Sequence, residues 1–196
     1  MTKAIELVAI GCSAGGFEAL NTILPAIPVE FPAAVIVVLH IPADSGNLLA
    51  DSFRKKCVAQ VSEAEDKMPI EKGHIYFAPA NYHILAEPDH VISLSTEEPV
   101  HYSRPSIDVL FESVAMAYGP AALGIVLTGA NDDGAEGLQK IIAQGGRSIV
   151  QDPAEADYAS MPEAALRLNP ASKSLKISQI VEHLQGLARK EPHGKR

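Results

Sequence analysis

A serine, a histidine and an aspartate that each follow an apolar run are the residues in this chain best suited to chemistry. Ser13 lies in Gly11-Cys12-Ser13-Ala14-Gly15-Gly16, after the apolar residues 7–10 and before a helix-like segment at 17–24. A strand, a glycine turn and a helix place Ser13 at the turn, beside the backbone N–H groups that a helix start leaves unpaired. Such groups can stabilise the oxyanion formed when a hydroxyl attacks a carbonyl, which makes Ser13 a candidate nucleophile. His40 ends a second apolar run and suits the general base. Asp133 follows a third and suits the carboxylate that orients the imidazole. The chain order Ser, His, Asp differs from the Ser, Asp, His order of α/β-hydrolases, so the set implies a different fold with convergent chemistry.

Each residue also has a purely structural reading. Ser13 equally suits a helix N-cap, and His40 a satisfied histidine at a strand end. Asp133 or Asp132 suits a cap for a helix beginning near Gly134. The chemical reading therefore rests on the three meeting at one sheet edge. A dinucleotide-binding loop is the nearest rival. It wants glycine where Ser13 stands and an acidic residue at the end of the second strand, which here ends Leu39-His40. The histidines form no ligand-spaced pair on a helix, so no metal is expected. No organic cofactor is expected either.

The bulk composition narrows the partners. The chain has 196 residues, 47% hydrophobic and 20% charged, with a net charge of −8. The cations cluster only near the end, at Arg189, Lys190, Lys195 and Arg196. Phosphate and anionic-lipid surfaces need concentrated positive charge, so neither nucleic acid nor direct membrane insertion is expected. No secretory segment follows Met1, and no apolar run approaches the ~20 residues of a membrane span. With Cys12 and Cys57 its only cysteines, the chain reads as a reduced, cytoplasmic protein. Cys12 reads as a small packing residue behind the serine turn.

The elements that must position the three residues follow from the patterning. Unbroken apolar runs at 7–10, 33–39, 121–127 and 148–150 predict strands covered on both faces. Helix-like segments at 17–24, 48–56, 107–118, 135–144, 162–168 and 178–188 alternate with them. Ser106 is placed to cap the third helix and Gly119-Pro120 to stop it. The alternation predicts an α/β fold with a doubly wound, mostly parallel sheet flanked by helices. Residues 73–80, 82–87 and 90–94 are short and β-rich, and predict a small antiparallel hairpin or meander attached to that sheet. In such a sheet ligands bind beyond the carboxyl ends of the strands, where Ser13, His40 and Asp133 all fall.

These motifs resemble one known family, the CheB-type protein-glutamate methylesterases of bacterial chemotaxis, over nearly the whole chain. Ile10-Gly11-Cys12-Ser13-Ala14-Gly15-Gly16 is similar to the family's serine segment, and Val37-Val38-Leu39-His40-Ile41-Pro42 to its histidine segment. Gly73-His74-Ile75-Tyr76-Phe77-Ala78-Pro79 resembles its central β-hairpin. Arg104-Pro105-Ser106-Ile107-Asp108 and Leu127-Thr128-Gly129-Ala130-Asn131-Asp132-Asp133-Gly134 resemble two later signatures. The resemblance implies a serine hydrolase that removes the γ-methyl ester of glutamate on methylated cytoplasmic helices of chemoreceptors, releasing methanol, and that deamidates certain receptor glutamines. It implies Ser13 as nucleophile, His40 as base and Asp133, the aspartate directly before the glycine, as the orienting acid. The oxyanion falls to the backbone amides of Ala14 and Ala130.

The departures from the family pattern are local. Ala14 follows the serine where threonine is usual, and Leu39 precedes the histidine where glutamine is common. Ala130 and Asn131 stand where methionine and glycine are usual. Glycine reaches positive φ freely, so Asn131 raises the question of an altered backbone. These changes support an alternative, a catalytically weakened member acting as a binding or regulatory module. The expected domain is 1–190, with a flexible tail at 191–196. The first strand begins close to Met1, so the expectation is a chain without the receiver domain of chemotaxis members, either a free-standing member, constitutively active or controlled by another protein, or a fragment of a longer protein. Control by a separate receiver protein or a methyltransferase is the corresponding expectation.

Overall fold

The structure is a computed structural model and describes residues 3–40 and 48–189. Its centre is a seven-stranded parallel sheet in the order β3-β4-β2-β1-β7-β8-β9. The strands are β1 Leu7–Cys12, β2 Ala34–Leu39, β3 Gln60–Glu63, β4 His74–Phe77, β7 Ala122–Val126, β8 Arg147–Gln151 and β9 Lys173–Leu175. β1, β2 and β7 are buried at every position, because helices cover both faces and apolar side chains leave water on each side. β5 His83–Ala86 and β6 Ile92–Ser95 form a separate antiparallel pair.

Side chains alternate between the two faces. Val8, Ile10 and Cys12 of β1 point into one core with Val35, Val37 and Leu39 of β2; α1 Gly16–Ile23, α2 Leu48–Arg54 and α6 Ile177–Arg189 contribute to it. Leu7 and Ala9 point into the other, with Ala34, Ile36 and Val38. That second core is closed by α3 Ile107–Tyr118, α4 Ala135–Ala143, α5 Ser160–Leu168 and the β5–β6 pair. From β1 the chain builds one side of the sheet with β2, β3 and β4 and then crosses to the other side with β7, β8 and β9, so the winding reverses between β1 and β7. Ligand crevices of open α/β sheets form at such a reversal.

Most expected elements appear within a residue or two of their expected ends. The middle does not match. The patterning assigns residues 73–80 to an antiparallel hairpin or meander, but β4 lies in the main sheet, parallel to β2 and β3. Only β5 and β6 form the antiparallel pair. The expected tail at 191–196 lies outside the described residues, as do Ile41 and Pro42 of the histidine segment.

Candidate active site

Three neighbouring strands deliver the three residues. Cys12 of β1 and Leu39 of β2 are register partners, so Ser13 and His40 are the next residues on adjacent parallel strands. His40 N–H donates to the Cys12 carbonyl at 3.1 Å, and Ser13 N–H donates to the Thr128 carbonyl beyond β7 at 3.0 Å. The strand alternation carries both residues to the α3 face of the sheet. Asp133 arrives from the segment between β7 and α4. His40 Nε2 donates to Asp133 Oδ2 at 3.0 Å, with the His40 side chain 13% exposed and Asp133 fully buried. The Ser13 hydroxyl makes no hydrogen bond among the described residues, so it is adjacent to His40 without being joined to it.

Neither capping reading describes the turns. The residue that caps α1 is Gly15, at φ 76°, with no side-chain hydrogen bond from Ser13. Likewise Gly134, at φ 97°, caps α4. Glycine is suited to both because a β-carbon is strained at such φ. The Asp133 carboxylate instead crosses to the start of α3. Ile107 N–H donates to Oδ2 at 2.8 Å, Asp108 N–H to Oδ1 at 2.9 Å, and the Ser106 hydroxyl to Oδ1 at 2.9 Å. A helix N-terminus favours negative charge there. Burial pushes the Asp133 carboxyl up, but the hydrogen bonds from His40, Ile107 and Asp108 outweigh it and hold it below the usual carboxylate range. Asp133 thus presents a fixed negative charge to His40.

The serine turn is fastened from β7. The Thr128 hydroxyl donates to the Ala14 carbonyl at 2.9 Å, while Thr128 N–H donates to the Gln151 side chain at 2.8 Å. Sequence reasoning singles out neither Thr128 nor Gln151 as a support, and it gives Ser106 only the α3 cap. Ser106 does accept from Val109 N–H, at 3.4 Å, but it also serves Asp133. Ala14 N–H and Ala130 N–H donate to no group among the described residues. Asn131 does not adopt positive φ. Its side-chain oxygen accepts from Asp133 N–H at 3.3 Å, so this departure from glycine is accommodated locally.

The remaining sequence candidates fall into place around this edge. Arg104 Nη1 donates to the carbonyls of Thr96 and Glu97, at 2.9 and 3.0 Å, rather than to Asp108. It therefore ties a loop. Cys12 is buried in the core, and a β-carbon on Gly16 would meet its sulfur at 2.8 Å. Burial pushes its thiol far up, as befits a packing residue. A cavity of about 270 Å³ opens beside His40 and is bounded by Asn81, Tyr102, Ser103 and Arg104. Among the described residues no cluster of His, Cys, Asp and Glu could hold a metal, and no helix is long and apolar enough to cross a membrane.

The fold and motifs match known proteins closely. The CheB methylesterase family model matches residues 8–184. A putative protein-glutamate methylesterase/protein-glutamine glutaminase of Leptospira interrogans is 44% identical over 177 residues, covering 90% of this chain and 92% of the relative. Protein-glutamate methylesterase/protein-glutamine glutaminase 1 of Xanthomonas euvesicatoria is 37% identical over 186 residues, and the chain spans about half of it, 52%. The crystal structure of the Thermotoga maritima CheB methylesterase catalytic domain superposes with a TM-score of 0.89 at 30% identity, covering 94% of this chain and all of that one. On the family match, the shared fold and this sequence identity, the chain belongs to the CheB methylesterase family.

Proposed function

We propose that the domain hydrolyses the γ-methyl ester of receptor glutamates, and deamidates receptor glutamines, with Ser13 as nucleophile, His40 as base and Asp133 as the orienting acid. The observation that carries the reading is the 3.0 Å bond from His40 to a buried, helix-held Asp133, at the strand end next to Ser13. With Nε2 on Asp133, His40 Nδ1 is the nitrogen left to take the Ser13 proton. The serine oxygen bonds to the ester carbon, and the carbonyl oxygen becomes an oxyanion that the Ala14 and Ala130 N–H groups stabilise. The tetrahedral centre collapses, the carbon–methoxy bond breaks, and methanol leaves with the proton from His40. A water molecule then gives its proton to His40 and attacks the acyl carbon, the bond from that carbon to the serine oxygen breaks, and His40 returns the proton to Ser13. The products are the glutamate carboxylate and free Ser13. With glutamine the same steps release ammonia.

The receptor's methylated helices would place this chemistry in the cytoplasm. The family resemblance alone supports a separate receiver protein or a methyltransferase as further partners. Methanol release from methylated receptor membranes tests the reading. The Ser13→Ala chain should lose about 10⁴-fold or more of the parent rate. Equal release by both chains would remove Ser13 from the mechanism. No release by a folded parent would favour the binding-module alternative.

A further inference from the structure

Next to the His40 cavity lies a strained turn with a titratable clamp. Val100 and Ser103 exchange backbone hydrogen bonds of 2.8 and 3.1 Å, and the two residues between them, His101 and Tyr102, hold φ of 49° and 61°. Two consecutive non-glycine residues at positive φ persist only where the surroundings hold them. The His101 side chain supplies such a hold. Its Nε2 lies 3.3 Å from Asp108 Oδ2, and its Nδ1 lies 3.5 Å from Asp132 Oδ1. Asp108 Oδ2 is buried and takes no hydrogen bond among the described residues, leaving the imidazole as its counter-charge.

A neutral imidazole donates from one nitrogen only. Neither His101 nitrogen is hydrogen-bonded to these carboxylates among the described residues, so the attraction between them is one of charge, which an imidazolium would have and a neutral ring would not. Burial, and then the charges of Asp133 and Glu136, push the Asp108 carboxyl up to about 6, against the pull of Gly137 N–H and of His101. The groups facing His101 come from several elements: Asp108 of α3, Asp132 before α4, Glu136 of α4 and Arg167 of α5. Except for Asp108, they line one cavity of about 180 Å³ with it. On the other side of the turn Tyr102 is wholly exposed at the lip of the His40 cavity.

We propose that His101 is a positioning residue: its ring, placed within ion-pair distance of Asp108 and Asp132, holds the 100–103 turn in place when it carries charge, so that Tyr102 covers the cavity beside His40 when a glutamate ester enters. The proposal rests on the ester-hydrolysis reading of that cavity. Its signature is a split between constants. Where the charge attraction between the ring and the two carboxylates is lost, KM rises, while the chemical step of bound ester does not depend on His101.

The test has two arms. In the full chain, NMR follows the His101 ring and the Tyr102 backbone amide through a pH titration. The two should share a midpoint, and His101→Gln should abolish the Tyr102 response. A Tyr102 amide that ignores the His101 titration overturns the clamp, whatever the esterase does. In the second arm, turnover of a peptide carrying a glutamate γ-methyl ester is measured across the same pH range. His101→Gln should raise KM several-fold with kcat unchanged, and His101→Lys, which keeps a cation, should restore a low KM and flatten its pH dependence. A fall in kcat at constant KM for His101→Gln overturns the proposal, because the residue would then act on the triad. Absence of turnover by the parent removes the site reading and leaves the NMR arm to decide the clamp.

Discussion

Asp133 is the residue on which the candidate site turns, because one side chain accepts from His40, Ile107, Asp108 and Ser106. Replacing one carboxylate oxygen by an amide forces a choice. The single oxygen of an asparagine side chain can serve the helix N–H groups or His40, and the NH₂ would push the imidazole to the wrong tautomer. Asp133→Asn should therefore lower kcat by about 10⁴-fold, the size of the corresponding loss in serine proteases. A chain that melts normally but retains most of its kcat would show that Asp133 does not orient His40. The aspartate itself is legible as a polar residue just beyond an apolar run. Its partners are not. Local rules point Asp133 at the helix that follows it, whereas the structure sends it 26 residues back along the chain to Ile107. Gly134 leaves the carboxylate free for that contact by taking the cap position itself.

At the scale of elements, the start of α3 is held against β1 by a side chain that needs missing β-carbons. Ile107 packs where a β-carbon on Gly11 would overlap its Cγ2, and one on Gly134 would come within 2.7 Å of the same atom. Gly11 is two residues before Ser13, and Ile107 carries an N–H that binds Asp133. Gly11→Ala should thus move α3 away from the serine strand. Overpacking of this kind costs about 1–3 kcal/mol, and kcat should fall beyond what the lost stability explains. Thermal melts and ester turnover on the same samples check it. A melting change with unaltered kcat would mean that α3 does not set the site geometry. Most helices and the central strands are legible because their apolar spacing reflects which faces are covered. β4 misleads because its four residues are all buried by strands and helices distant in sequence, while its flanking turn residues suggest a hairpin. β3 and β9 escape the patterning, since each has at most one buried position and so carries no apolar run.

For the molecule as a whole, an acidic chain of net charge −8 buries two carboxylates among its described residues, Asp108 and Asp133, both at the start of α3. Their titrations oppose one another. Asp133 is held below its ordinary range, so its contribution is present above the unfolded value and is lost as pH falls through the folded one. Asp108 is pushed from 3.8 up to about 6. Between those values the folded chain holds more protons than the unfolded chain, so this contribution is complete at low pH and disappears as pH rises through about 6. Asp108→Asn removes the buried charge and keeps a side-chain oxygen to accept from Gly137 N–H, a bond of 2.6 Å in the parent. The melting temperature of the variant should therefore gain on the parent steadily from about pH 4 to about pH 7. Parallel melts across that range read the difference directly. A gap that stays constant would mean that the Asp108 carboxyl ionises alike in the folded and unfolded chains, and that the acid limb belongs to Asp133 and the other charges alone.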